Sequence, residues 1–241
     1  MKAAVIIPSR YGSSRFLGKP LVLIKGKPLI QHTLERVKKC KKVDFMAVAT
    51  DDKRIYNVVR KLGFSVFMTP KTCRSGTDRV AFFAASKFLK DCDVFINVQG
   101  DEPLIDTKLI DKLAVLLKKN KSLEYVTAVF PIVKKEIIEN PNNVKVVFDK
   151  YGYALYFSRF AIPYNRDNAN VRYYKHIGVY GYKKKFLLDF SKDNVSFLEK
   201  AENLEQLRAL EGGKRIKVVM ASCDSIGVDT PEDILKIEKY L

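Results

Sequence analysis

"AAVIIPSRYGSSRFLGKP", Ala3–Pro20, sets a short apolar run against a loop of a different kind. Ala3-Ala4-Val5-Ile6-Ile7 has no polar alternation, as expected of a strand buried on both faces. The loop holds three cations (Arg10, Arg15, Lys19) and two glycines (Gly12, Gly18). Backbone N–H groups in such a turn surround phosphate oxygens, and arginine and lysine neutralise their charge. The loop is therefore a candidate polyphosphate cradle, with a plain basic surface loop as the alternative. It matches neither G-x-x-x-x-G-K-[ST] nor G-x-G-x-x-G, the two commonest nucleotide motifs.

Outward from this stretch, apolar runs alternate with helical periodicity. A helix is predicted near 28–40, a strand over Phe45–Thr50 and a helix over 51–62. Asp51 or Asp52 caps that helix and Gly63 ends it. A short strand follows at 65–68, a helix at 77–89, a strand at 94–98, a helix at 106–119 and a strand at 125–131. This βαβ alternation predicts an α/β fold with a doubly wound, mostly parallel sheet. Ligands then sit beyond the carboxyl ends of the strands. After about residue 130 the runs 144–148, 153–157 and 176–182 read as strands with little helix between them. Asp149-Lys150-Tyr151-Gly152 reads as a hairpin turn. The expectation is one domain, 1–241, with a small antiparallel insertion at about 131–182. A single helix is predicted over 196–211, with Glu205 at the edge of its apolar stripe and Gln206 opposite. A strand over 216–220 and a helix opened by Pro231 and capped by Thr230 complete the chain.

Composition narrows the function. The chain of 241 residues is 47% hydrophobic, enough for a sizeable core, and no stretch approaches the roughly 18 apolar residues of a membrane span. No signal-peptide pattern is visible. Its four cysteines are scattered and form no C-x-x-C pair, so reduced thiols in a cytoplasmic protein are expected. The formal net charge of +17 has three readings: nucleic-acid binding, capture of small polyanions, or a lysine-rich surface. The lysines are dispersed and no basic tail or RNA-binding aromatic motif accompanies them, which favours a solvated surface. With two histidines a His-rich metal site is not expected, and His32 is read as structural.

Two acidic segments carry the remaining chemistry: "NVQGDEP", Asn97–Pro103, and "GVDTPED", Gly227–Asp233. Asp101 and Asp229 facing a polyphosphate would repel it, since like charges about 4 Å apart cost about 4 kcal/mol at an effective dielectric of 20. A divalent cation reverses that sign, and two carboxylates with phosphate oxygens form a hard-ligand Mg²⁺ site.

Taken in order, "RYGSSRFLGKPL", "VATDD", "SGTDR", "NVQGDEP", "GYALYFSRFAIP", "HIGVYGY", "LEQLR" and "GVDTPED" resemble the 3-deoxy-manno-octulosonate cytidylyltransferases (CMP-Kdo synthetases) over the full chain. The resemblance implies the nucleotide-diphospho-sugar transferase type of fold. It also implies CTP and Kdo as substrates, Mg²⁺ as cofactor, a homodimer using the β-rich insertion, and no nucleic-acid partner or membrane insertion. By resemblance, Ser9, Arg10, Arg15 and Lys19 handle CTP, and Ser75, Gly76 and Thr77 border the cytosine. Gln99 positions the sugar near Asp101, and Asp101 and Asp229 hold Mg²⁺. Arg79, Arg159, His176, Tyr180, Glu205 and Gln206 are the sugar-side candidates, with Arg79 or Arg159 on the Kdo carboxylate. Two departures stand out: Phe16-Leu17 where the family usually has Leu-Pro, and Tyr164 where it has Trp. An 8-amino analogue of Kdo remains an alternative substrate, and CMP-sialate synthesis uses the same chemistry.

Overall fold

A computed structural model describes residues 1–12, 16–167 and 169–241. The chain starts with strand β1 (Lys2–Ser9), the small pair β2 (Leu23–Ile24) and β3 (Lys27–Pro28), and helix α1 (Leu29–Val37). Then come β4 (Phe45–Thr50), α2 (Lys53–Lys61), β5 (Val66–Met68), α3 (Gly76–Ala84), β6 (Cys92–Val98) and α4 (Thr107–Lys119). The second half holds β7 (Tyr125–Ile132), α5 (Lys135–Glu139), β8 (Lys145–Phe148), β9 (Ala154–Ser158), β10 (Tyr173–Lys183) and α6 (Lys184–Phe190). It ends with α7 (Phe197–Glu202), α8 (Gln206–Glu211), β11 (Lys217–Met220) and α9 (Pro231–Ile237).

The main sheet runs β11-β7-β10-β6-β1-β4-β5, with β8 and β9 attached beside β10. Neighbours β6, β1, β4 and β5 are parallel, as are β7 and β11. Both faces are covered. Ala3, Val5 and Ile7 of β1 pack with Ile30 and Leu34 of α1, Ile55 and Val59 of α2, and Leu109 and Leu113 of α4. Ala4 and Ile6 pack with Val80 and Phe83 of α3, Phe186 and Phe190 of α6, and Leu207 of α8. Each burial removes apolar surface worth about 25 cal/mol per Å², which is why β1 shows no polar alternation. His32, 8% exposed, has its Nε2 2.9 Å from Ile24 O, a structural role.

The caps predicted at Asp52 and Thr230 form. Asp52 accepts from Arg54 N–H (2.8 Å). Ser75, for which the sequence predicts no cap, also caps α3 by accepting from Asp78 N–H (3.1 Å). Thr230 and Asp233 close a capping box. Two expectations need correction. The run near 176–182 is not confined to an insertion. Strand β10 is antiparallel yet lies inside the main sheet, between β6 and β7. Its length and its apolar residues Ile177 and Val179, buried in the first face, seat it there. Of the predicted insertion strands, β8 and β9 stand off the path of the sheet. The predicted single helix over 196–211 is two. Asn203 adopts the left-handed conformation (φ 52°) and ends α7. The break turns Gln206 inward, to 2% exposure, instead of leaving it opposite the apolar stripe.

Candidate active site

Strands β1 and β6 are adjacent and parallel, so both deliver their carboxyl-end loops to one edge of the sheet. A cleft of about 330 Å³ opens there, lined by Ser9, Arg10, Gly12, Lys19, Gly76, Gln99 and Asp101 among others. The first loop closes through Gly18 N–H donating to Tyr11 O (2.9 Å). Gly18 sits at φ 70°, and a Cβ there would lie 3.0 Å from the Tyr11 ring, so the turn requires glycine. This turn places Lys19, 8% exposed, below the cleft. Its Nζ contacts Asp101 Oδ2, donates to Val228 O (2.7 Å) and lies 3.6 Å from Asp229 Oδ1. Residues from opposite ends of the chain thus converge on one ammonium.

Arg10 crosses the cleft and donates from Nη2 to Cys73 O (2.7 Å). Burial, then the neighbouring Arg79 cation, pulls it below the ordinary arginine value. Ser9 Oγ is buried with no protein partner among the described residues, an unused polar group on the cleft wall. Gln99 Nε2 donates to Asn97 Oδ1 (3.3 Å), which fixes which end of its amide faces outward. Arg15 lies outside the described residues.

The sugar-side candidates form a second group. Glu205 accepts from the Ser75 hydroxyl (2.9 Å) and the Thr77 hydroxyl (2.7 Å), and pairs with Arg208 Nη2 at 3.3 Å. Burial raises its pKa, against the lowering effect of those hydroxyls. Tyr180 Oη donates to Gln206 Oε1 (3.5 Å). The His176 ring lies 5.3 Å from the Tyr180 ring. Its Nε2 is 2.8 Å from Thr127 Oγ1, whose own proton goes to Val179 O (2.9 Å). Nε2 therefore carries the histidine proton, and the neutral ring keeps Nδ1 as an acceptor. Desolvation pushes the His176 pKa down to about 3, so the ring is uncharged near neutrality.

The two arginines expected on a sugar carboxylate are both bound by the protein itself. Arg79 is 1% exposed, with Nη1 on Thr69 Oγ1 and Nη2 on Asp51 Oδ2. It is neither a surface arginine nor part of the cleft wall, and a ligand carboxylate would have to displace Asp51. This pairing also explains why Asp52 rather than Asp51 caps α2. Arg159 donates to Glu202 O (2.7 Å), Pro141 O (3.0 Å) and Asn203 O (3.4 Å). It grips the left-handed turn two residues before Glu205.

Sequence reasoning missed Glu102, Asn97, Thr127 and Asp51. The second acid of "DEP" and the first acid of "TDD" were the available signals for Glu102 and Asp51. The Glu102 pKa is pushed up to about 7, by burial first, opposed by the Ser225 hydroxyl and reinforced by Asp101. Among the described residues no group of three or more His, Cys, Asp or Glu is placed to hold a metal ion. The donor set nevertheless suits a hard cation bound together with a phosphate, because Asp101 and Asp229 already face a shared positive charge.

A profile of the cytidylyltransferases matches residues 4–216. The chain belongs to the cytidylyltransferase family. This cytidylyltransferase is 49% identical over 241 residues to a 3-deoxy-manno-octulosonate cytidylyltransferase of Syntrophus aciditrophicus, covering 100% of the chain and 97% of that protein. It is 48% identical to an 8-amino-3,8-dideoxy-manno-octulosonate cytidylyltransferase of Shewanella baltica, covering 100% of the chain and 99% of the relative. A solved structure of a CMP:2-keto-3-deoxy-manno-octonic acid synthetase complexed with CTP superposes with a TM-score of 0.92 at 39% identity. That match covers 100% of this chain and 98% of the other.

Proposed function

We infer that this cytidylyltransferase transfers CMP from CTP to the anomeric C2 hydroxyl of Kdo, releasing pyrophosphate, in lipopolysaccharide biosynthesis. The observation that carries the reading is the cleft where Lys19 joins Asp101 to Asp229, in a chain folded like a CTP-bound synthetase. Arg10, Lys19 and the backbone of the first loop neutralise the triphosphate and the departing pyrophosphate. Asp101 and Asp229 would hold Mg²⁺ together with phosphate oxygens, and Lys19 would add its charge to the phosphates. When bound, the ion adds positive charge at the α-phosphate and acidifies the attacking hydroxyl. Gln99, Tyr180, Glu205, Gln206 and the bare Nδ1 of His176 meet sugar hydroxyls. Arg159 or Arg79 meets the sugar carboxylate only if its present partners yield. Holding both substrates in line is the main catalytic work, and no covalent enzyme intermediate is required.

The relatives from Shewanella support a second reading, the 8-amino sugar as acceptor. Leu155, Phe160 and Tyr164 are 61%, 83% and 86% exposed around the hairpin, which supports a homodimer formed through that region. A cytoplasmic location is part of this reading; no helix among the described residues is long and apolar enough to cross a membrane.

Pyrophosphate release from CTP is expected only with Mg²⁺ and a 2-keto sugar acid, and competition between Kdo and its 8-amino analogue separates the two readings. Silence with every such acid would refute the activity. Asp101→Asn is expected to cut kcat by about a thousandfold while shifting Tm by no more than about 2 °C. Retention of most activity would dismiss the metal role.

A further inference from the structure

The segment that presents Asp229 is tied to the Asp101 turn at several points. Val228 N–H donates to Asp101 O (2.9 Å), and Val228 O accepts from Lys19. Three residues earlier, the Ser225 hydroxyl donates to Glu102 Oε2. The Ser225 carbonyl accepts from Lys175 Nζ (3.2 Å), which also pairs with Asp224 Oδ1. Gly227 presses on the other carboxylate oxygen: a Cβ there would lie 3.1 Å from Glu102 Oε1 and 3.5 Å from Asp101 O. Both oxygens of Glu102 are thus set against the segment that bears Asp229.

That segment follows β11, which ends at Met220, and leads into α9, of 7 residues. On the α9 side the Asp229 and Thr230 N–H groups donate to Asp233 Oδ2 (3.0 and 3.1 Å), and the small apolar cluster of Ile24, Leu29, Val228 and Ile237 seats it from below. Two carboxylates share one ion only when their oxygens are held to within about 0.5 Å of the required positions.

We propose that Glu102 is a positioning residue whose bond to the Ser225 hydroxyl sets the register of residues 225–229 and so brings Asp229 opposite Asp101. This rests on the reading that Asp101 and Asp229 hold the divalent ion. Glu102 then acts through the loop and not as a ligand itself. Removing such an outer partner weakens metal binding by about 10–100-fold in other sites.

The test is Mn²⁺ binding to the full chain in the presence of CTP and without sugar, by calorimetry or spin resonance, with metal-free CTP binding measured alongside. Ser225→Ala and Glu102→Ala are expected to weaken Mn²⁺ binding by about 10–100-fold and to leave metal-free CTP binding unchanged. Glu102→Gln retains an acceptor for the Ser225 hydroxyl and is expected to stay within about threefold of the parent. Equal losses in Glu102→Gln and Glu102→Ala with no effect of Ser225→Ala would make Glu102 a direct ligand and overturn the proposal. Unchanged Mn²⁺ affinity in Ser225→Ala and Glu102→Ala, with binding abolished by Asp101→Asn, would overturn it and leave the metal reading intact. Full binding by Asp101→Asn would overturn both.

Discussion

Lys19 is the residue on which the site turns. Its ammonium reaches Asp101, Asp229 and the Val228 carbonyl at once, so it offsets part of the charge of two acids and fastens the loop that carries one of them. Lys19→Met keeps the buried stem and removes the ammonium, with its charge and its bond to Val228 O. We expect kcat/KM for CTP to fall about 100- to 1,000-fold, read from initial rates against CTP. An unchanged CTP response would take Lys19 out of phosphate handling. His176 provides a pH dependence with a definite sign. Its folded pKa of about 3 lies below the unfolded value of 6.5. Between those values the unfolded chain binds a proton that the folded chain does not, so stability rises with pH. The contribution is complete above about pH 6.5 and is lost toward pH 3, by at most about 1.4 kcal/mol per pH unit. His176→Gln is expected to flatten that fall, seen in urea midpoints at pH 7 and 5. Identical pH profiles would show that the ring is not shielded as described.

At the scale of elements, β10 and the α7–α8 turn depart most from local expectation. Placing β10 between β6 and β7 crowds Gly181. A Cβ there would lie 2.7 Å from Val126 Cγ2, 2.8 Å from Leu117 Cδ1 and 3.0 Å from Ile96 Cδ1. Gly181→Ala is expected to cost about 3 kcal/mol, measured by chemical unfolding, and a neutral result would contradict that packing. The turn at Asn203 orients Glu205 toward Ser75 and Thr77, joining the sugar-side group to the amino end of α3. Left-handed backbone costs a β-branched residue at least about 1–2 kcal/mol and costs glycine nothing. Asn203→Val should lower Tm and raise KM for the sugar, whereas Asn203→Gly should leave that KM unchanged. Matching KM values for both would uncouple the turn from the site. Periodicity located most strands to within a residue or two, because alternation and apolar runs are local. It joined α7 to α8 because asparagine is tolerated in a helix, and only the contacts of Glu205 and Arg159 favour the break.

For the whole molecule, the dispersed lysines behind the charge of +17 read first as a solvated surface, and their part in drawing in a polyanionic substrate is a matter for salt dependence. About 0.1 M salt screens any such attraction beyond about 10 Å. Between about 20 and 200 mM salt, kcat/KM for CTP should fall about three- to tenfold with kcat nearly constant. A flat response would leave the charge with no part in substrate capture.

Much of this protein was settled within short stretches of chain. Runs buried on both faces, helices capped by Asp52, Ser75 and Thr230, and basic and acidic loops at strand ends all follow from relations a few residues apart. Tertiary structure alone decided three things. It seated β10 inside the sheet, withdrew Arg79 onto Asp51, and brought Asp229 to Lys19 and Asp101. Each depends on groups far apart in sequence whose charge or apolar surface is satisfied only after the chain has closed on itself, and no local preference records which partner that will be.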